Sequence, residues 1–285
     1  MRSIKTQQDE IATLKDFSTL VESYEEIAAI RMRKVKKAVL SNRDYFEGLN
    51  DIYGFVQNAY STYLSKLARK ITVRNMSRKT NSKTVSIFLS SNTGLYGGII
   101  GKTFDFFLED IKNINTDIVI VGRYGKKLHA GLKIKQGYTY FDFSDSGVDE
   151  ENFKNIFSYV IKYKYIVVYH SIFKNVLSQV PTKTNLTGYK EVDKTKDQSK
   201  YLAIFEPSVY EVTTFFETQI LSVVFGQAIN ESSLSKFSSR MVSLDRAVAK
   251  TESNINRASL LLKKAKHTKL GRDQSSILSG ISLWR

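Results

Sequence analysis

Five residues in the middle of the chain come close to a phosphate chemistry. Gly97, Gly98, Gly101, Lys102 and Thr103 lie between a β-type run and a helical run, where the phosphate loop G-x-x-x-x-G-K-[ST] sits in nucleotide-binding folds. In that loop backbone N–H groups surround phosphate oxygens and glycines let the backbone approach them. Here the first glycine position holds Tyr96, a bulky side chain at the bend. No strand of the region ends in the acid that would hold magnesium. The pattern favours a tightly packed turn over a nucleotide site.

Other catalytic constellations are absent. His129, His170 and His267 lack the close spacing of a metal-binding pair and are expected at surfaces or interfaces. No serine stands in a G-x-S-x-G elbow. Without cysteine there is no disulfide framework, thiolate metal site or thiol nucleophile, which fits a reducing compartment. The expectation is a chain that binds no cofactor or metal and catalyses nothing alone.

Those residues belong to a segment with a strand-and-helix rhythm. Residues 85–89 (VSIFL), 117–121 (DIVIV) and 165–169 (YIVVY) are β-branched and aromatic runs of buried-strand type. Helical candidates at 102–114 and 150–163 alternate with them, predicting a small, mostly parallel sheet. The polar stretch 181–200 is expected to be a mobile loop or hairpin, and 69–83 a linker.

Both ends of the chain carry a longer pattern. Met241, Leu244, Val248, Thr251, Ile255, Ala258, Leu262 and Ala265 alternate steps of three and four, one face of a helix. Ile4, Ile11, Leu14, Val21, Ala28, Met32, Val35 and Val39 keep the same spacing, with Ser18 and Glu25 in the seam. A second stripe of Phe17, Leu20, Tyr24 and Ile27 is expected to widen that face. Pro207 and Ser208 read as a helix start, and the stretch from there to Trp284 could reach roughly 110 Å as one helix. A seam of period 3.5 winds two helices around each other. The fold expected is α/β, with a long antiparallel coiled coil of both termini and a small Rossmann-like domain between them. Its boundaries would be 1–68 for the first helix, 69–83 for the linker, 84–206 for the sheet domain and 207–285 for the second helix.

Composition supports a folded chain and localises its charge. With 42% hydrophobic and 12% aromatic residues in 285, one or two real cores can form. No apolar run spans a bilayer, and the first ten residues lack a signal-peptide stretch. The formal net charge is +15. Six cations without an acid lie between Arg31 and Arg43, and ten cations against two acids between Lys236 and Arg272. Two basic runs on helices expected to lie side by side call for an acidic surface around them. A basic coiled coil that binds nucleic acid is the alternative from another class.

The stretch 239–284, SRMVSLDRAVAKTESNINRASLLLKKAKHTKLGRDQSSILSGISLW, resembles the C-terminal helix of the gamma subunit of rotary F-type ATP synthases, most specifically in Arg240-Met241 and in Ile277-Leu278-Ser279-Gly280. IAAIRMRK at 27–34 is similar to that family's basic helix segment, and SSNTGLYGG at 90–98 to its glycine turn, with Gly94, Gly97 and Gly98 in place. IVIVGRYG and YLAIFEPS also follow in family order.

The resemblance implies a rotor shaft inside a ring of alternating alpha and beta subunits, with the α/β domain at its foot. An epsilon-like subunit and a membrane rotor ring would be further partners. It implies a cytoplasmic protein, peripheral at the inner face of the cell membrane through its complex. ATP would be turned over in the ring. Ring contacts would fall at Arg31, Arg33 and Lys34, and at Arg240, Lys266, His267 and Asp273, with Ile281, Leu283 and Trp284 at the tip. A gamma-like shaft of a specialised ATPase not coupled to proton transport is the closest alternative. The chain departs from the family pattern at Glu22 and Tyr24, at Asn92 and Tyr96, at Lys236 in place of the usual glutamate, and at Lys266, His267 and Gly271.

Overall fold

A computed structural model describes residues 3–67, 80–112, 114–131, 137–145, 149–187, 206 and 208–282. Among the described residues ten elements follow in order: α1 (Ile4–Leu67), β1 (Asn81–Leu89), α2 (Ile99–Ile111), β2 (Asp117–Val121), α3 (Arg123–Ala130), β3 (Tyr138–Phe141), α4 (Glu150–Val160), β4 (Tyr163–Phe173), β5 (Gln179–Asn185) and α5 (Val209–Ser282). They form two compact units, one of Met1–Ile30 with Arg240–Arg285 and one of Arg31–Ser239. The second unit thus takes in parts of both long helices as well as the expected sheet domain.

In the second unit the sheet order is β3-β2-β1-β4-β5. The first four strands are mutually parallel and β5 pairs antiparallel with β4. Alternation of side chains along each strand divides the core in two. Val85, Ile87, Val119, Val121, Ile166 and Val168 face α4 and residues 220–229 of α5. Phe88, Ile118, Ile120 and Tyr169 face α2, with Leu234 and Phe237 of α5 and Val35 and Val39 of α1. The expected strands are therefore present, with β1 starting inside the expected linker.

Two features differ from expectation. α3 and β3 are additional: β3 is short, half-buried and on the sheet edge, so its apolar signal is weak. β5 occupies 179–185 and pairs antiparallel with β4, so the first part of the polar stretch takes the hairpin form, one of the two expected; 188–200 and 69–79 lie outside the described residues. His129 and His170 are buried, contrary to a surface placement. His170 bonds through Nε2 to Thr184 Oγ1 at 2.9 Å, and burial holds both imidazoles below the ordinary histidine range.

The helices run antiparallel. In the second unit Arg31 faces Phe237, Arg43 faces Glu231 and Tyr53 faces Phe216, so α5 descends as α1 ascends. Ser208 begins α5, its hydroxyl accepting from Glu211 N at 3.2 Å, as a helix N-cap does; Pro207 is outside the described residues.

The first unit realises the seam of period 3.5. On α1, Ser18, Val21 and Ala28 are buried and Ile4, Ile11, Leu14 and Glu25 half-buried; on α5, Leu244 and Thr251 are buried and Val248, Ile255, Ala258, Leu262 and Ala265 half-buried. Ser18 answers its own polarity by donating to Glu22 Oε1 at 2.9 Å. The second stripe does not join this face: Phe17, Leu20, Tyr24 and Ile27 are 46–54% exposed. They sit one residue, or about 100°, around the helix from the seam. Beyond Ala265 every described side chain of α5 is exposed.

Ala28, at 1% exposure, is the most buried seam residue of α1. Ala28→Leu should destabilise the chain by about 1–3 kcal/mol through overpacking, and Ile27→Ala should stay within about 0.5 kcal/mol. Urea denaturation followed by helical circular dichroism compares them; equal losses would place the Ile27 stripe inside the interface after all.

Candidate functional site

The glycine turn after β1 lies at the carboxyl end of the parallel strands, where sheets of this kind bind ligands. Its backbone takes left-handed values at Leu95 (φ 66°) and Gly97 (φ 59°), a conformation that glycine adopts freely and leucine does not. Backbone N–H groups do converge there, but on a carboxylate of this chain. Asp145 accepts from Asn92 N at 3.0 Å, from Thr93 N at 2.8 Å and from Thr93 Oγ1 at 2.8 Å. A phosphate at this nest would have to displace it.

Asn92 ties the neighbouring loops into the same structure. Its Nδ2 donates to Asp142 Oδ1 and its Oδ1 accepts from Arg123 N at 2.9 Å. The bond from Asn92, then the Arg123 guanidinium, hold the Asp142 carboxyl below its usual range against the opposing effect of burial. Gly122, at φ 99°, passes so close to Ser91 that a Cβ would lie 2.8 Å from its carbonyl carbon. Close backbone approach, rather than ligand binding, accounts for this glycine.

Tyr96, in the place of the missing first glycine, is a plug. It is 2% exposed and meets Phe237 of α5 edge-on at 6.0 Å between ring centroids. Its hydroxyl lies 3.2 Å from Thr93 Oγ1, which can accept from it while donating to Asp145. Lys102, the would-be phosphate lysine, is exposed. The expected tight turn is what the structure contains.

Opposite the turn, α5 is buried on every side over residues 232–239. Six of these eight residues are polar: Ser232, Ser233, Ser235, Lys236, Ser238 and Ser239. Small hydroxyl side chains let loop backbones approach the helix closely. Lys236 Nζ donates to Ser90 O at 2.8 Å, Ser239 Oγ to Tyr96 O at 2.8 Å and Ser238 Oγ to Val176 O at 3.0 Å. The Lys236 ammonium lies 3.8 Å from Asp145 Oδ1, both side chains being at most 9% exposed. Desolvation drives the Lys236 pKa down, and the attraction of Asp145 opposes the fall.

Sequence alone marks Lys236 as a departure and passes over Asp145. The available signal is the run of serines around Lys236, which interrupts the apolar periodicity of α5 without adding the charge that a solvated face carries.

The residues expected to meet a ring are divided between the two units. Arg31, Arg33 and Lys34 are exposed on α1 in the second unit. The Arg31 guanidinium stands 5.8 Å from the centre of the Phe237 ring, a cation–π distance. In the first unit Arg240 is half-buried, and Lys266, His267 and Asp273 are exposed on the bare part of α5. Ile281 is on the last turn of α5, its side chain outside the described residues, as are Leu283 and Trp284. Gly94 and Gly98 stand in the turn with no heavy atom near a would-be Cβ.

An open cleft of about 710 Å³ in the second unit is bounded by Lys34, Asn42 and Tyr45 of α1, Gly226 of α5, and Ser144 and Asp149. Asp149 is engaged as the cap of α4, accepting from Glu151 N at 3.2 Å and Asn152 Nδ2 at 2.7 Å. Among the described residues there is no cluster of metal-binding side chains, and no helix is long and apolar enough to cross a membrane.

A family model described as ATP synthase matches residues 3–282. The ATP synthase gamma chain of Pelotomaculum thermopropionicum is 26% identical over 294 residues, covering 98% of each chain. That of Mesoplasma florum is 22% identical over 289 residues, again 98% of each. Among solved structures, the rotor of the Euglena gracilis mitochondrial ATP synthase superposes with a TM-score of 0.59 at 12% identity, over 94% of this chain and 98% of the other. The central stalk and c-ring structure of the Tetrahymena thermophila enzyme gives 0.52 at 17% identity, over 80% and 99%.

Asp145→Ala would take the acceptor from two turn N–H groups and leave the buried Lys236 ammonium without its counter-charge. It should cost about 3–5 kcal/mol, as breaking one side of a buried pair does. For Lys236 the folded pKa lies below the ordinary 10.5, so between the two values the unfolded chain binds more protons and stability rises with pH. The stability of the native chain relative to Lys236→Met should therefore grow from neutral pH toward about 10. Denaturant titrations at a series of pH values test this; a gap that narrows with pH would show that the ammonium is not desolvated.

Proposed function

We propose, from the premise that this chain belongs to the ATP synthase family, that it is the central rotor shaft of a rotary ATPase. The observation that carries the proposal is the seam: two helices of 64 and 74 residues, paired antiparallel, keep their seam side chains covered along the first unit. The match over residues 3–282 and the fold shared with a rotor and a central stalk support it.

In this reading a ring of alternating alpha and beta subunits surrounds the paired helices. Two unlike helices present a different surface to each of three otherwise equivalent nucleotide sites. The angle of the shaft then favours one site's open state over another's, and nucleotide occupancy reciprocally favours one angle. ATP is bound and turned over in the ring. The Asp145-filled nest and the Tyr96 plug support a non-catalytic role for this chain.

The exposed cations Arg31, Arg33 and Lys34, with Arg240, Lys266 and His267, are the groups that would meet acidic loops of the ring, and Asp273 would meet a basic partner. The half-exposed stripe of Phe17, Leu20, Tyr24 and Ile27 adds apolar surface for the same sleeve. The sheet of the second unit would dock an epsilon-like subunit or a membrane rotor ring, holding the complex at the inner face of the cell membrane.

Reversing Arg31, Arg33 and Lys34 together to glutamate should leave the isolated chain folded, because all three are exposed. In a complex assembled with its alpha and beta subunits, the triple variant should rotate with lower torque per ATP hydrolysed. Rotation and hydrolysis both equal to those of the unaltered complex would remove these residues from the coupling surface. Equilibrium dialysis of the purified chain against ATP should show no saturable binding.

A further inference from the structure

Close-packed apolar side chains resist rotation of a helix through their shapes, but they can yield by rotamer changes and small shifts. Buried hydrogen bonds and charges have a preferred azimuth. Residues 232–239 of α5 are enclosed, and within one turn Lys236, Ser238 and Ser239 each hold a carbonyl of the sheet's loops. Lys236 differs from the two serines in carrying a charge that Asp145 answers. Asp145 in turn holds the turn through Asn92 N, Thr93 N and Thr93 Oγ1. Rotation of α5 against the sheet would strand an ammonium and a carboxylate in a dry site, which is far costlier than sliding methyl groups.

We propose that Lys236 and Asp145 form the torque-bearing key of the second unit, fixing the azimuth of α5 so that the sheet turns with the helix as one body. The proposal rests on the rotor reading and adds to it where torque passes between helix and sheet. Lys236 is a positioning residue: it acts through the turn and touches no nucleotide. Contacts on the α1 side of α5 contribute less to the key, since Arg43–Glu231 is partly solvated and a solvated ion pair is weak.

The test uses the complex with its alpha and beta subunits immobilised through the ring. The chain has no cysteine, so Lys154→Cys on the exposed face of α4 gives a single point to attach a gold rod to the sheet. Lys236→Met is compared with the double variant Lys236→Met, Asp145→Asn, which leaves no charge buried unpaired and so keeps the chain foldable. Val224→Ala, a core truncation of α5 away from the key, is the control for general loosening. Under viscous load the key variants should show slipping steps and a loss of stall torque at unchanged ATP hydrolysis, with the control close to the unaltered complex. Full torque in the foldable key variants overturns the proposal, as does an equal loss in Val224→Ala. If the unaltered complex hydrolyses ATP without turning the rod, the rotor reading itself fails.

Discussion

A helix that is enclosed on every side must answer any charge it carries, and α5 is so enclosed over residues 232–239, where Lys236, Ser238 and Ser239 find acceptors while the uncharged Ser232 and Ser235 hydroxyls do not. Much of the second unit's architecture follows from that demand. Lys236 requires an acceptor and a counter-charge, and the loops supply Ser90 O and Asp145. Asp145, brought in to answer the lysine, is also the anion that fills the backbone nest at Asn92 and Thr93. With the nest filled and Tyr96 seated on Phe237, the carboxyl edge of the sheet is spent on holding a helix. A fold that elsewhere binds nucleotides here grips a shaft.

The same helix meets a different constraint in the first unit. There its partner is the N-terminal part of α1, and the seam is built from small and branched apolar residues with Ser18 and Thr251 satisfied locally. Past Ala265 α5 has no covered side chain among those described. A single unbroken helix without internal proline thus passes from a polar, keyed environment to an apolar seam and then to a bare end. Directional bonds suit the end that must hold a domain at a set angle. A seam suits the length that must stay straight, and a bare surface suits a segment covered by other subunits.

The seams were legible because period carries through burial: each seam position named from spacing, from Ile4 to Val39 and from Met241 to Ala265, is buried or half-buried. β1, β2 and β4 were legible as short β-branched runs for the same reason, being buried on both faces. The stripe at Phe17, Leu20, Tyr24 and Ile27 was misassigned because periodicity shows that a face is apolar and not which partner covers it. α3 and β3 escaped notice because a short polar helix and a half-buried edge strand have little periodic signal. Lys236 was the hardest to read. A lysine on a basic helix is ordinarily solvated, and only the position of Asp145, ninety-one residues earlier, explains why this one is not.

Electron cryomicroscopy of the complex purified from native cells through a tag on this chain tests the central claim most directly. The account predicts a six-membered ring of two larger nucleotide-binding subunits with one copy of the chain on its axis, the paired α1 and α5 of the first unit inside the ring. A homo-oligomer of this chain, or a nucleic-acid complex with no ring around the helices, would contradict it.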